Sequence, residues 1–229
     1  MHNRAPNPSI VHHAPYRMIP TKERKALSNL VRWSGGAAMA GGVLYALFMF
    51  FHPPNEPAGM DDALWVPVHV VWLVSIVLIL LGLVGLYVRY ADRMGSLGLV
   101  AFLVAFFGNA LLVAGSFVDA FVLPTVALEL PKVFEAPPLP LSIALTLTYV
   151  LFLLGYVLFG TVIIRSGVLP RWAGLLLAVG APLFVVGVDT LQLITVLGAV
   201  LFGVGWAWLG YVLVSDRVGS AQQSSARVH

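Results

Sequence analysis

Four side chains that can bind a proton or a metal stand at one depth of an otherwise apolar chain: His52, His69, Asp119 and Asp189. Each lies at or near the end of a different long apolar stretch. Ionisable groups in a hydrocarbon environment are expensive, so those that occur are the leading functional candidates. Two imidazoles and a carboxylate are the smallest set that holds a divalent metal with positions left open. Such a metal would activate water or polarise a carbonyl. His52, His69 and Asp119 are therefore the candidate metal ligands. Asn109, Asp189 and Gln192 complete the candidate ligand-binding set, Asn109 because it shares a helical face with Ser116 and Asp119. Haem held by His52 and His69 is disfavoured, since no partner histidine lies deep in another stretch. The bland alternative gives each residue a local job: His52 caps a helix end, His69 makes one buried hydrogen bond, and the acids are solvated.

The elements that must position these groups are six apolar stretches, at about 31–51, 64–87, 97–117, 141–164, 171–188 and 194–214. Each reaches or approaches the roughly 20 residues that cross a 30 Å hydrocarbon core. Apolar residues make up 59% of the chain and charged residues 10%, against roughly 45–50% and 25% in soluble domains. The sequence thus predicts an all-α polytopic membrane protein, a bundle of six transmembrane helices solvated by lipid. Twelve of the 13 Lys and Arg residues fall in the N-terminal tail, the second and fourth loops and the C-terminal tail. Positive charge beside helix ends stays on the cytoplasmic face, so both termini are expected inside, in the inner (plasma) membrane. The same placement explains a pI near 9.4 without nucleic acid.

The tails, 1–30 and 215–229, read as polar and disordered, with a short juxtamembrane helix near 22–29. The loop at 119–140 is cut by Pro124, Pro131, Pro137, Pro138 and Pro140 and is expected to cap a polar cavity open to the outside. Small residues four apart, Ala37/Gly41 and Ala38/Gly42, allow a close helix approach and offer a face for oligomers. Trp65, Trp172, Trp206 and Trp208 are placed as interfacial anchors. With no cysteine, disulfides, thiolate zinc sites and iron–sulfur clusters are excluded. Nucleotide-binding, zincin and serine-hydrolase motifs are also absent.

Several short motifs recur in a fixed order: His52-Pro53, Trp65-x-x-x-His69, Gly82-Leu83-x-Gly85-Leu86-Tyr87-x-Arg89, Asp119-Ala120-Phe121-x-x-Pro124 and Gly167-Val168-Leu169-Pro170-Arg171-Trp172-Ala173-Gly174. In this the chain resembles a group of uncharacterised bacterial multi-pass membrane proteins sharing a domain of unknown function, over about residues 31–214. The resemblance implies a six-span fold and no particular activity. The expected function is to bind or pass a small solute or lipid through an outward-facing polar pocket, or to support a membrane complex. A metal-dependent hydrolase or oxidoreductase using His52, His69 and Asp119 is the alternative.

Overall fold

A computed structural model describes residues 21–188 and 191–226, without the side chains of 21, 22, 24, 188 and 216–226. All the regular structure among them is helical. Helix α1 (Thr21–Phe48) passes into a 3-10 turn at Met49–Phe51, and α2 (Pro57–Met60) crosses the following loop. The run α3 (Trp65–Phe121) precedes two short helices, α4 (Leu123–Glu129) and α5 (Pro131–Glu135). Then come α6 (Leu139–Ser166), α7 (Arg171–Val188) and α8 (Gln192–Ala226). Apolar segments without water must satisfy their backbone internally, and helices do this within one segment.

The 57 residues of α3 would reach about 85 Å if straight, nearly three times a bilayer's hydrocarbon core. They do not run straight. Gly95 leaves the helical region at φ 62° and ψ −164°, a conformation that only glycine adopts without steric cost. The chain reverses there. The indole N–H of Trp65, at the first residue of α3, donates to the carbonyl of Asp119 near its last, at 2.7 Å. Halfway along, the Asn109 amide donates to the Ile76 carbonyl at 3.0 Å. The arms 65–94 and 96–121 therefore lie side by side.

Six long helical segments among the described residues form a closed ring in chain order. Ala38 of α1 packs on Gly82 of the first arm, and Gly155 of α6 packs on Ala105 of the second. Gly160 and Gly174 bring α6 against α7, and Gly198 brings α8 against Phe184 of α7. The ring closes between α1 and α8, where a methyl group on Gly42 would lie 2.4 Å from the Gly203 carbonyl oxygen. Only small residues let backbones approach so closely. Of the small residues Ala37, Ala38, Gly41 and Gly42, three make close approaches inside the chain: Ala38 and Gly41 to the first arm of α3 and Gly42 to α8. The centre of the bundle is filled: the Phe202 ring lies 4.9 Å from Tyr45, 5.3 Å from Phe152 and 4.6 Å from Tyr156.

Large apolar side chains also cover much of the outer surface. Leu47, Val74, Leu81, Phe107, Val150, Leu154 and Val204 all point outward, which is how a lipid-solvated protein looks. Four helices are long and apolar enough to cross a membrane: Lys25–Phe51, Trp65–Phe121, Leu139–Ser166 and Gln192–Ser215. Arg171–Gly187 is apolar but shorter. This is a membrane protein.

Several expectations change here. Trp65 and Trp206 are buried and are packing groups; only Trp172 and Trp208 of the four face outward, because Trp206 turns into the main core and Trp65 packs under α2 and α4. Residues 21–30 are helical, where a short juxtamembrane helix was expected near 22–29, and run straight into the rest of α1; residues 215–226 continue α8 and are not the irregular tail expected. The expected tail segments 1–20 and 227–229, and the candidate Asp189, lie outside the described residues.

Candidate functional site

At the end of the ring opposite Gly95, a cavity of about 280 Å³ opens among all six segments and the loops that cover them. His52 enters it because of its neighbour. A residue preceding proline is pushed out of the helical region, and His52, before Pro53, is extended at φ −75° and ψ 121°. That breaks α1 and swings the imidazole across the end of the ring. His69 arrives from the second turn of α3, one helical turn beyond Trp65. Asp119 comes from the other end of α3, brought alongside by the Gly95 reversal. Tyr149 of α6, Phe184 of α7 and Thr195 of α8 line the inner wall. Asn55, Leu123 of α4 and Phe134 of α5 form the cover, as expected of the proline-rich loop.

The two imidazoles face each other. His52 Nε2 is 3.3 Å from His69 Nε2, and the ring centroids are 4.8 Å apart. Their other nitrogens are engaged by the backbone. His69 Nδ1–H donates to the Trp65 carbonyl at 2.8 Å, and His52 Nδ1–H donates to the Pro53 carbonyl. A carbonyl oxygen only accepts, so both rings carry their hydrogen on Nδ1. In the neutral tautomer each Nε2 then presents a bare lone pair. These tautomers follow from the hydrogen-bond network. Burial pushes the His52 imidazole below its usual pKa, outweighing the Pro53 carbonyl, which favours the charged form.

Aromatic rings box the pair. Trp65 stacks on His69 with centroids 4.2 Å apart and meets His52 edge-on at 5.4 Å. Phe48 and Trp72 stack on each other at 5.4 Å and form the floor beside them. Among the described residues the Asp119 carboxylate makes no hydrogen bond or ion pair, and none of their Lys or Arg side chains lines the cavity. No family model, curated protein or solved structure matches the chain. The reading of the cavity rests on its own chemistry.

The candidates from the sequence separate into groups. His52, His69 and Asp119 line one cavity. They are not one cluster of ligands: no group of three or more His, Cys, Asp or Glu residues close enough to hold a metal occurs among the described residues. The Trp65 indole takes the place beside His69, its face on the imidazole and its N–H on the Asp119 main chain. Asn109 is elsewhere, in mid-bundle, bonded to the Ile76 carbonyl and accepting from the Tyr156 hydroxyl at 2.8 Å. Gln192 reaches the His52 carbonyl at 3.4 Å without lining the cavity. Thr195 and Asn55 were not among the candidates. Thr195 carried the signal that singled out His69, a polar residue inside an apolar stretch. Asn55 carried none, since a loop asparagine looks like any other.

Proposed function

We propose that the chain is a six-span protein of the inner (plasma) membrane, with both termini cytoplasmic, whose outward end binds a small cationic solute. The orientation is supported by Arg32, Arg89, Arg93, Arg165 and Arg171, which belong to the end of the ring opposite the histidines. The six spans are supported by the Gly95 reversal, which divides the longest apolar helix into two arms of crossing length.

The observation that carries the ligand class is the polarity of the cavity wall. Two imidazole lone pairs and a carboxylate unpaired among the described residues are acceptors, the surrounding Phe, Trp and Tyr faces are electron-rich, and no basic side chain of the described residues competes. Aromatic faces and a carboxylate together attract positive charge. Binding is favoured over passage because the aromatic plug of Tyr45, Phe152, Tyr156 and Phe202 fills the ring below the cavity.

The absence of cysteine makes a direct test available. Thr195→Cys places the only thiol on the cavity wall. In intact cells a membrane-impermeant methanethiosulfonate carrying a trimethylammonium group is expected to modify it at least tenfold faster than the sulfonate analogue of similar size. Equal rates, or reaction only after permeabilisation, would contradict the reading.

A further inference from the structure

The geometry points to a transition-metal site formed by the Nε2 atoms of His52 and His69, with the ion's remaining positions open to the cavity. The inference rests on the cavity being a binding pocket for cations and names which cation its histidines select.

Its first support is the direction of the lone pairs. Both Nδ1 atoms are held by backbone carbonyls, so neither Nε2 can donate to the other while the rings are neutral. Two acceptors 3.3 Å apart repel unless a positive charge is shared between them. A second support is the spacing itself. Nitrogens bound at about 2.0–2.1 Å and separated by a tetrahedral angle lie about 3.3–3.4 Å apart, the separation found here.

The surroundings fit the same reading. Metal-bound histidines characteristically donate their second ring N–H to a carbonyl or carboxylate, which fixes tautomer and ring orientation. Both rings do so here, each to a carbonyl at a backbone position set by the fold: the preceding helical turn for His69, the Pro53 peptide for His52. The Trp65 face restrains the His69 ring further. Neutral imidazole suits Zn²⁺, Cu²⁺, Ni²⁺ and Fe²⁺, whereas Mg²⁺ and Ca²⁺ prefer oxygen. With only two protein ligands close together, the ion would keep about two positions for water or an incoming ligand. Asp119 lines the same cavity and would face those positions as a counter-charge.

The test uses the full-length protein in nanodiscs, stripped with a chelator and titrated calorimetrically with ZnCl₂, and separately with choline. One Zn²⁺ per chain is expected at the pair. His69→Ala and His52→Ala should each weaken that site more than about 100-fold, ligand loss exceeding the 10–100-fold typical of outer-shell changes. His52 is half-buried where the helix ends, so His52→Ala is expected to keep the fold even where His69→Ala does not. Co²⁺ bound to the wild type should show the visible bands of a tetrahedral ion, absent from both variants. Zn²⁺ binding that survives both substitutions, as it would at the tail histidines, overturns the inference. Choline binding without Zn²⁺ binding overturns it too, while leaving the cationic pocket standing. Failure of both ligands removes the pocket as well.

Discussion

Two polar clusters sit in this bundle, and they are built in opposite ways. In mid-bundle, the Asn109 amide donates to the Ile76 carbonyl and its oxygen accepts from Tyr156. Donor meets acceptor on each side, and two arms of α3 are joined to α6. At the outward end, the lone pairs of His52 and His69 meet each other, and the Asp119 carboxylate meets no donor among the described residues. A satisfied polar group inside an apolar bundle is glue. One whose partners are of the wrong kind needs something from outside the chain. Tyr45, Trp72 and Trp206 also hold buried polar atoms without a partner among the described residues; those of Tyr45 and Trp206 lie in the aromatic packing, whereas Trp72 lines the cavity.

If that contrast is right, damage to the middle should cost stability and spare the pocket. The largest effect is expected where the ring closes. Gly42→Val drives a methyl group into the Gly203 carbonyl and the Ala207 nitrogen, 2.4 and 2.5 Å from the first added carbon. Because backbone blocks both sides, the loss should reach or pass the upper end of the about 1–3 kcal/mol typical of overpacking. Thermal unfolding in detergent would measure it. Asn109→Leu comes next. It leaves a carbonyl and a hydroxyl unpartnered and should cost about 1–3 kcal/mol, with the reactivity of Thr195→Cys unchanged. A lost pocket in a variant that still folds would merge the two clusters into one. Asp119→Asn is the reverse case and the smallest effect. The melting temperature should hold, since no bond is removed, while reaction of Thr195→Cys with the cationic thiol reagent slows about tenfold, roughly 1.4 kcal/mol of attraction lost.

Much of the scaffold was legible from the chain. Apolar length located the helical segments, although α1 begins ten residues before its apolar stretch and α8 runs twelve residues past its own, and rare polar residues located His52, His69 and Asp119 in one cavity. The reversal within α3 was legible as a polar break, although which glycine turns it was not: the positive φ falls on Gly95, whereas Gly98 continues the helix. Asn109 shares a side with Asp119 but lies about 15 Å below it along the helix, and the sequence could not show that Ile76 and Tyr156 would occupy its amide there. Trp65 and Trp206 were misread for a related reason. Tryptophans near span ends suit the interface, but which way each turns depends on neighbouring helices. The opposed tautomers of the histidines could not be read at all, because they depend on two carbonyl positions fixed only after folding.

The central claim is that both Nε2 atoms are unprotonated and turned toward each other. Nitrogen-15 NMR of histidine-labelled protein tests this most directly, with His52→Ala and His69→Ala to assign the two signals among six histidines. At neutral pH the account predicts a protonated Nδ1 and a bare Nε2 on both rings, with both Nε2 signals moving together on addition of Zn²⁺. A hydrogen on Nε2 of either ring, or Nε2 signals indifferent to Zn²⁺, would contradict it.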